Sequence, residues 1–262
     1  MKQYLSKETR YYNNFKEFLV DIANRYQNQT AITTYLKGTQ IQEKSFAELK
    51  NDCFAFAKAL FANGLSGKHI AIVSESCYEW LVAYLGIAIS GGVAVCIDVE
   101  QYDDTIEKMI VQADAEAVIC SAGLFSLCSS IQGRYDRMKE IVVIRPANHE
   151  AVSFEHFMED ANTNDAESKL EACVLDPKQT ACIVYTSGTT STAKPVMLSH
   201  SALLFNAADS LTILDSREKI FNSLPLYHTY GFTCGMLCGL IRGINICISC
   251  DLKRMMQEMT LF

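Results

Sequence analysis

The 262-residue chain carries a net charge of -7, with 49% hydrophobic and 20% charged residues. That balance supplies a sizeable core for one large domain or two small ones. No dense Lys/Arg run occurs, so the basic face by which a domain grips duplex nucleic acid is missing, and nucleic acid is not an expected partner. The eleven cysteines are an odd number placed mostly in apolar runs, among them Cys96, Cys120 and Cys182. With a polar first segment that lacks a secretory pattern, they read as reduced, buried thiols of a cytoplasmic protein. Cys247-Ile-Ser-Cys250 has the spacing of a redox pair, but it lies in an apolar strand-like run without a second pair, so neither redox nor zinc chemistry is assigned to it.

In chain order, the first clear element opens at Ser45-Phe46-Ala47-Glu48, a capping box in which hydroxyl and carboxylate satisfy backbone donors at a helix start. Phe46, Leu49, Cys53, Phe56 and Leu60 follow at helical spacing, and Asn63-Gly64 is the stop. A strand is expected over 69–73, a helix from about 77 and a strand over 93–97. The uncharged run 80–97 is long enough to raise a membrane span, but Ser90, Gly91 and Gly92 divide it into a helix, a turn and a strand. A helix from Asp103-Asp104 to about Gln112, a strand over 115–120, a short helix and a strand over 141–144 come next. Continuous apolar strands separated by helices predict an α/β fold with mostly parallel sheets flanked by helices.

From about 148 to 178 the chain turns polar and acidic and reads as a connecting excursion. It holds a short helix near 154–158 and a loop at 162–165. A strand over 181–186, a loop, a helix from about 199, a strand near 220–223 and a further helix–strand pair to 248 follow. The segment 251–262 reads as a helix with an aspartate cap. Its Met255, Met256, Met259 and Phe262 want a surface to pack against, which is the pattern of a chain that continues.

The chemistry concentrates in residues 185–195, Tyr185-Thr186-Ser187-Gly188-Thr189-Thr190-Ser191-Thr192-Ala193-Lys194-Pro195. Six of these eleven residues are Ser or Thr, and one is lysine. Hydroxyls and free N–H groups in a turn make a nest for phosphate oxygens, and the lysine adds a point charge. Composition alone equally fits a hydroxyl-rich surface loop. The P-loop pattern G-x-x-x-x-G-K-[ST] fails at Ala193 and at Pro195, where a glycine and a magnesium-binding hydroxyl are required.

The wording YTSGTTSTAKPVMLSH over 185–200 resembles the signature of the acyl-adenylate-forming superfamily, the AMP-binding enzymes. In these acyl-CoA synthetases, luciferases and nonribosomal adenylation domains the loop runs Tyr-Thr-Ser-Gly-Thr-Thr-Gly-x-Pro-Lys-Gly-Val, with a Ser/Thr-His pair after it. The resemblance extends from Ser45-Phe46-Ala47-Glu48-Leu49 through IAIVSESCYEWLVAYLGIAISGGVAVCID, where Cys96 stands for a usual proline. It reaches Asn222-Ser223-Leu224-Pro225-Leu226-Tyr227-His228-Thr229-Tyr230-Gly231, and its wording is most similar to long-chain fatty acid–CoA ligases. Ser191 and Pro195 replace two glycines and Ala193 a proline. If those glycines need positive φ, serine is strained there and proline cannot follow, so altered nucleotide gripping is expected.

The resemblance implies ATP, Mg2+ and coenzyme A, and the activation of a small-molecule carboxylic acid as acyl-AMP before transfer to a thiol. It implies that Thr186, Ser187, Gly188, Thr189 and Thr190 wrap the phosphates, with Lys194 binding them electrostatically and Thr186 touching the metal. His228 is implied as the catalytic-site histidine bordering the adenylate, with Tyr227 and Gly231 shaping the substrate pocket. Read by itself, His228 also fits a core histidine, and His200 reads as capping or packing the helix after the loop. The expected organisation is residues 1–262 as the amino-terminal half of a large domain. The adenine-binding segment, the hinge and a small carboxy-terminal domain with a catalytic lysine are expected to lie elsewhere, leaving this stretch inactive alone. Adenylation of an amino or hydroxy acid for a carrier protein, or a degenerate nucleotide-binding module, are the alternatives.

Overall fold

The structure, a computed structural model, describes residues 10–35, 40–147, 151–159, 164–186, 193–211, 219–249 and 255–261. In chain order the first half runs α1 (Phe15–Tyr26), β1 (Thr30–Tyr35), β2 (Ile41–Ser45), α2 (Phe46–Ala62), β3 (His69–Val73), α3 (Tyr78–Ile89) and β4 (Val93–Cys96). Then come α4 (Asp103–Gln112), β5 (Ala117–Ser121), α5 (Phe125–Gln132), β6 (Glu140–Ile144), β7 (Val152–Ser153), α6 (Phe154–Glu159) and α7 (Asn164–Ala172). The last third holds β8 (Thr180–Thr186), β9 (Lys194–Ser199), α8 (His200–Ser210), β10 (Lys219–Asn222), α9 (Thr229–Phe232), α10 (Cys238–Ile241), β11 (Asn245–Ile248) and α11 (Met255–Leu261). A π turn over Thr233–Leu237 joins α9 to α10.

The strands form two sheets, a seven-stranded one ordered β7-β6-β5-β3-β4-β8-β9 and a four-stranded one ordered β10-β11-β1-β2. Each is parallel except at one edge, where β9 runs antiparallel to β8 and β2 antiparallel to β1. The expected α/β architecture of mostly parallel sheets is therefore what the chain adopts. Alternation along the strands sorts the core. Ile70 and Ile72 of β3 face a large cluster shared with Ile32 and Ile246 of the smaller sheet, whereas Ala71 and Val73 face a second cluster under α4 and α5.

The capping box is present as expected. Ser45 Oγ accepts from Glu48 N at 3.2 Å, and Glu48 Oε2 accepts from Ser45 N at 2.8 Å. Ser45→Ala is expected to cost about 1 kcal/mol, visible as a lower urea midpoint with unchanged m-value; an unaltered midpoint would show that the cap contributes nothing in solution. Along α2 the predicted apolar stripe Phe46, Leu49, Cys53, Phe56 and Leu60 is buried. Against it α3 approaches so closely that a Cβ at Gly86 would lie 2.8 Å from Phe56 Cδ1.

The run 80–97 divides as read into α3, a turn and β4, with Gly91 at φ +79°. Among the described residues no helix is long and apolar enough to cross a membrane.

The segment 148–178 holds more structure than a connection. β7 pairs in parallel with β6 and extends the sheet. In α6, Phe154 stacks on Phe56 with centroids 4.9 Å apart. A helix, α7, begins at Asn164 where a loop was expected, and Lys16 of α1 caps its end, donating to the carbonyls of Leu170 at 2.7 Å, Glu171 at 3.0 Å and Cys173 at 3.1 Å. The closing segment is helical from Met255, and Met256 and Met259 are exposed on it.

Candidate functional site

The strand β8 is apolar and buried until Val184, then emerges at Tyr185 and Thr186. Tyr185 anchors the exit by donating its hydroxyl to Met109 O at 2.8 Å. The chain returns as β9 with Thr186 opposite Lys194 and Tyr185 opposite Pro195 in antiparallel register. Cross-strand partners stand on one face with Cβ atoms about 5 Å apart, so the hydroxyl and the ammonium frame one connection. Ser187, Gly188, Thr189, Thr190, Ser191 and Thr192 lie outside the described residues. Ala193 packs against the second core cluster.

Pro195 is compatible with its place for a physical reason. β9 is the outer strand of its sheet, where the missing N–H leaves no interior ladder bond unmade. Its φ is not positive, so the strain expected of a proline in a left-handed position does not arise there. Lys194 is exposed, and among the described residues it pairs with no carboxylate.

The second part of the site is the turn after β10. Buried Asn222 ties it together: its Oδ1 accepts from Leu224 N at 3.3 Å, and its Nδ2 donates to Gly231 O at 3.2 Å. His228 N donates to Pro225 O at 3.2 Å, Phe232 N to His228 O at 3.0 Å, and Leu226 N to Ser76 Oγ at 2.9 Å. His228 precedes α9 with its ring exposed, 4.9 Å from the Tyr227 ring. It is therefore not a core histidine; that description belongs to His200, which is fully buried. Tyr227 is buried, and burial first, then the neighbouring Asp98 carboxylate, raises its pKa. Gly231 is buried against Pro225 O.

The two parts meet. Val184 of β8 and Leu198 of β9 line one small apolar gap together with Leu226, Thr229 and Phe232, which flank His228. Ser74–Ser76, Asp98, Thr186 and the 222–228 turn lie at or just beyond the carboxyl ends of strands of the two sheets, where open α/β sheets bind ligands. That rule is the signal that draws attention to Ser76, Asp98 and Asn222, which lie within the stretches quoted above but were given no role there. A cavity of about 290 Å³ lies beside the turn, lined by Ile220, Leu224, Tyr230, Cys234, Cys238 and Arg242 among others. A wider open groove of about 660 Å³ lies between 10–24 and 173–175 and shares no residue with this site. Its volume carries no chemistry comparable to the hairpin.

Among the described residues no group of three His, Cys, Asp or Glu side chains is placed to hold a metal. Thr186 offers one hydroxyl. Magnesium keeps most of its waters and binds through phosphates and one or two carboxylates, so Thr186 would add at most one oxygen to an ion carried by a nucleotide.

A mostly parallel α/β scaffold thus sets an exposed lysine opposite a hydroxyl, as cross-strand partners, at the end of a hairpin. The chain belongs to the AMP-binding enzyme family, the acyl-adenylate-forming superfamily, whose family model matches residues 19–261. It is 26% identical over 249 residues to a long-chain-fatty-acid–CoA ligase of Bacillus subtilis, covering 84% of this chain and 43% of that protein. The fold is shared with a long-chain-fatty-acid–CoA ligase from Archaeoglobus fulgidus, at TM-score 0.81 and 17% identity, covering 97% of this chain and 50% of that one. It is shared as well with an anthranilate CoA ligase solved with anthranoyl-AMP, at TM-score 0.81 and 21% identity, covering 95% of this chain and 47% of the other. The chain thus spans half or less of the length of each of these relatives.

Proposed function

We propose that this chain provides the phosphate-holding hairpin and one wall of the acid pocket of an ATP-dependent acid–thiol ligase whose acid is a fatty acid. A carboxylate is a poor acyl donor because oxide is a poor leaving group. Attack of the carboxylate on the α-phosphate of ATP yields acyl-AMP and pyrophosphate. The thiol of coenzyme A then takes the acyl group and releases AMP. Protein assistance in the first step is chiefly positioning and neutralisation of phosphate charge. Magnesium, when bound with the nucleotide, would supply further neutralisation.

One observation carries this reading: Thr186 and Lys194 are cross-strand partners at the two ends of the hydroxyl-rich connection. Lys194 holds the β- and γ-phosphates electrostatically, and the Thr186 hydroxyl donates to a phosphate oxygen. The 222–231 turn, fixed by Asn222 and Ser76, presents His228 to the adenylate beside the same apolar gap, with Tyr227 and Gly231 forming the pocket wall. The apolar residues beside the turn favour an aliphatic acid.

The test is thermal denaturation with magnesium-ATP. Saturation at about 100 times the dissociation constant stabilises a complete site by about 2.7 kcal/mol. A smaller but measurable rise in Tm is expected here, because less than half of the Bacillus subtilis relative is represented. Lys194→Ala is expected to abolish that rise while leaving the ligand-free Tm unchanged, since the side chain is exposed. No rise in the parent chain, or an equal rise in the variant, overturns the assignment. ATP-dependent acyl-CoA formation by these 262 residues alone would overturn the expectation that they are an incomplete enzyme.

A further inference from the structure

Of the ten free cysteines described, eight are buried and only Cys173 and Cys234 are partly exposed. Cys173 stands alone at the end of α7. Cys234 has a second thiol one turn further on: Cys238, whose Sγ donates to Ala207 O at 3.4 Å and lies close enough to Cys234 to interact with it electrostatically. Both line the cavity of about 290 Å³ beside β10, with Tyr230 four residues before the pair and Arg242 four residues after it.

This spacing has a structural cause. In a regular α-helix each four-residue step overshoots one turn by about 40°, so residues at 230, 234, 238 and 242 would wander around the axis. The π turn Thr233–Leu237 takes an extra residue into one turn and brings the series back to one face. The result is a continuous wall of phenol, two thiols and a guanidinium. Four residues of helix separate the two Cα atoms by about 6 Å, inside the window of about 4.4–6.8 Å for a disulfide. Their Cβ atoms, about 5–6 Å apart in a regular helix, must close to about 4 Å. A π turn, where the backbone ladder is already interrupted, is the place that can give.

We propose that Cys234 is a thiol-modification site for low-molecular-weight disulfides and that Cys238 is its resolving partner, the product being an intrahelical disulfide in the cavity wall. The Cys234 thiolate attacks one sulfur of the small disulfide, forms a mixed disulfide and expels one thiolate. The Cys238 thiolate then attacks the Cys234 sulfur and expels the second. Two protons leave the protein thiols, and two electrons pass to the small disulfide, which departs as two thiols. Burial pushes the Cys238 thiol up to about 12, and its Arg242 neighbour pulls the other way. The second step is therefore the slow one, and it accelerates as pH rises.

The experiment incubates the native chain with glutathione disulfide, blocks residual thiols with N-ethylmaleimide and maps the peptides by mass spectrometry. The expected peptide spanning 234–238 is lighter by two hydrogens, free of glutathione and restored by dithiothreitol, while Cys173 keeps a glutathione adduct. Cys238→Ser is expected to accumulate glutathione on Cys234. Cys234→Ser, at a partly exposed position that does not threaten folding, is expected to leave Cys238 unmodified. A stable glutathione adduct on Cys234 of the native chain overturns the proposal. So does an unreacted Cys234 beside a modified Cys173, or Cys238 reacting equally fast without Cys234.

Discussion

Gly231→Ala is expected to destabilise the chain by about 3 kcal/mol, toward the upper end for overpacking, and to release the turn that carries His228. The added Cβ would sit 2.4 Å from Pro225 O, with Leu224 O at 3.2 Å and Leu224 Cβ at 3.1 Å. A flexible side chain can rotate away from such a contact, but a carbonyl oxygen moves only with its backbone. Pro225 O is already the acceptor for His228 N, and Gly231 O accepts from Asn222 Nδ2. Shifting either carbonyl undoes a bond that shapes the turn. The comparison is Gly123→Ala, where a Cβ meets nothing within 4 Å and the urea midpoint should hold. Equal midpoints for the two variants would mean that the turn is not packed as described, and the placement of His228 would go with it.

How much of this was legible in the sequence depends on how local the cause is. The cap at Ser45 is read from four consecutive residues and satisfies itself within them. The apolar runs of β3 and β4 speak for themselves because both faces of the strands are buried. The hydroxyl-rich connection and its lysine were legible as chemistry, yet β9 was not legible as a strand. Lys194, Pro195, Val196 and Met197 are all exposed, so no alternation marks them, and only pairing with β8 makes them extended. The division into two sheets was hidden for a different reason. β1 joins β11 through Ile32 and Ile246, a partnership across most of the chain that no local pattern encodes. In α7 only Ala166 and Leu170 of the described side chains are buried, too few to raise a helical period above a polar background. Of the site, the hairpin ends and the His228 turn were visible as motifs. Ser76, Asp98 and Asn222 lay inside the quoted stretches but drew no role there, because a serine, aspartate or asparagine carries no signal of its own until topology brings strand ends together.

Stability should fall by about 3 kcal/mol as pH is lowered from 6.5 to 4, through His200. Its ring is fully buried at the start of α8, 5.4 Å from the Phe15 ring, and among the described residues neither ring nitrogen has a hydrogen-bond partner. Burial depresses its pKa from the ordinary 6.5 to about 4, against a weaker upward pull from Asp176. His69, by contrast, has Ala113 O 2.6 Å from Nδ1. The sign follows from proton uptake. Above pH 6.5 the His200 ring is neutral in both states and removes no stability. Below it the unfolded chain binds a proton that the folded chain refuses, so stability drops by roughly 1.4 kcal/mol per pH unit until the folded ring also protonates near pH 4. His200→Phe removes the titration and the unpartnered N–H, whose burial alone costs about 1–3 kcal/mol. The variant should therefore match or exceed the parent at pH 7, and its advantage should widen steadily through pH 5. Carboxylates protonate in both proteins alike, so the difference between the two urea titrations isolates the histidine. A gap that stays constant from pH 7 to pH 4.5 would show that His200 keeps a protonated ring in the folded chain, with a partner for it, and the packing of α8 on Phe15 would have to be redrawn.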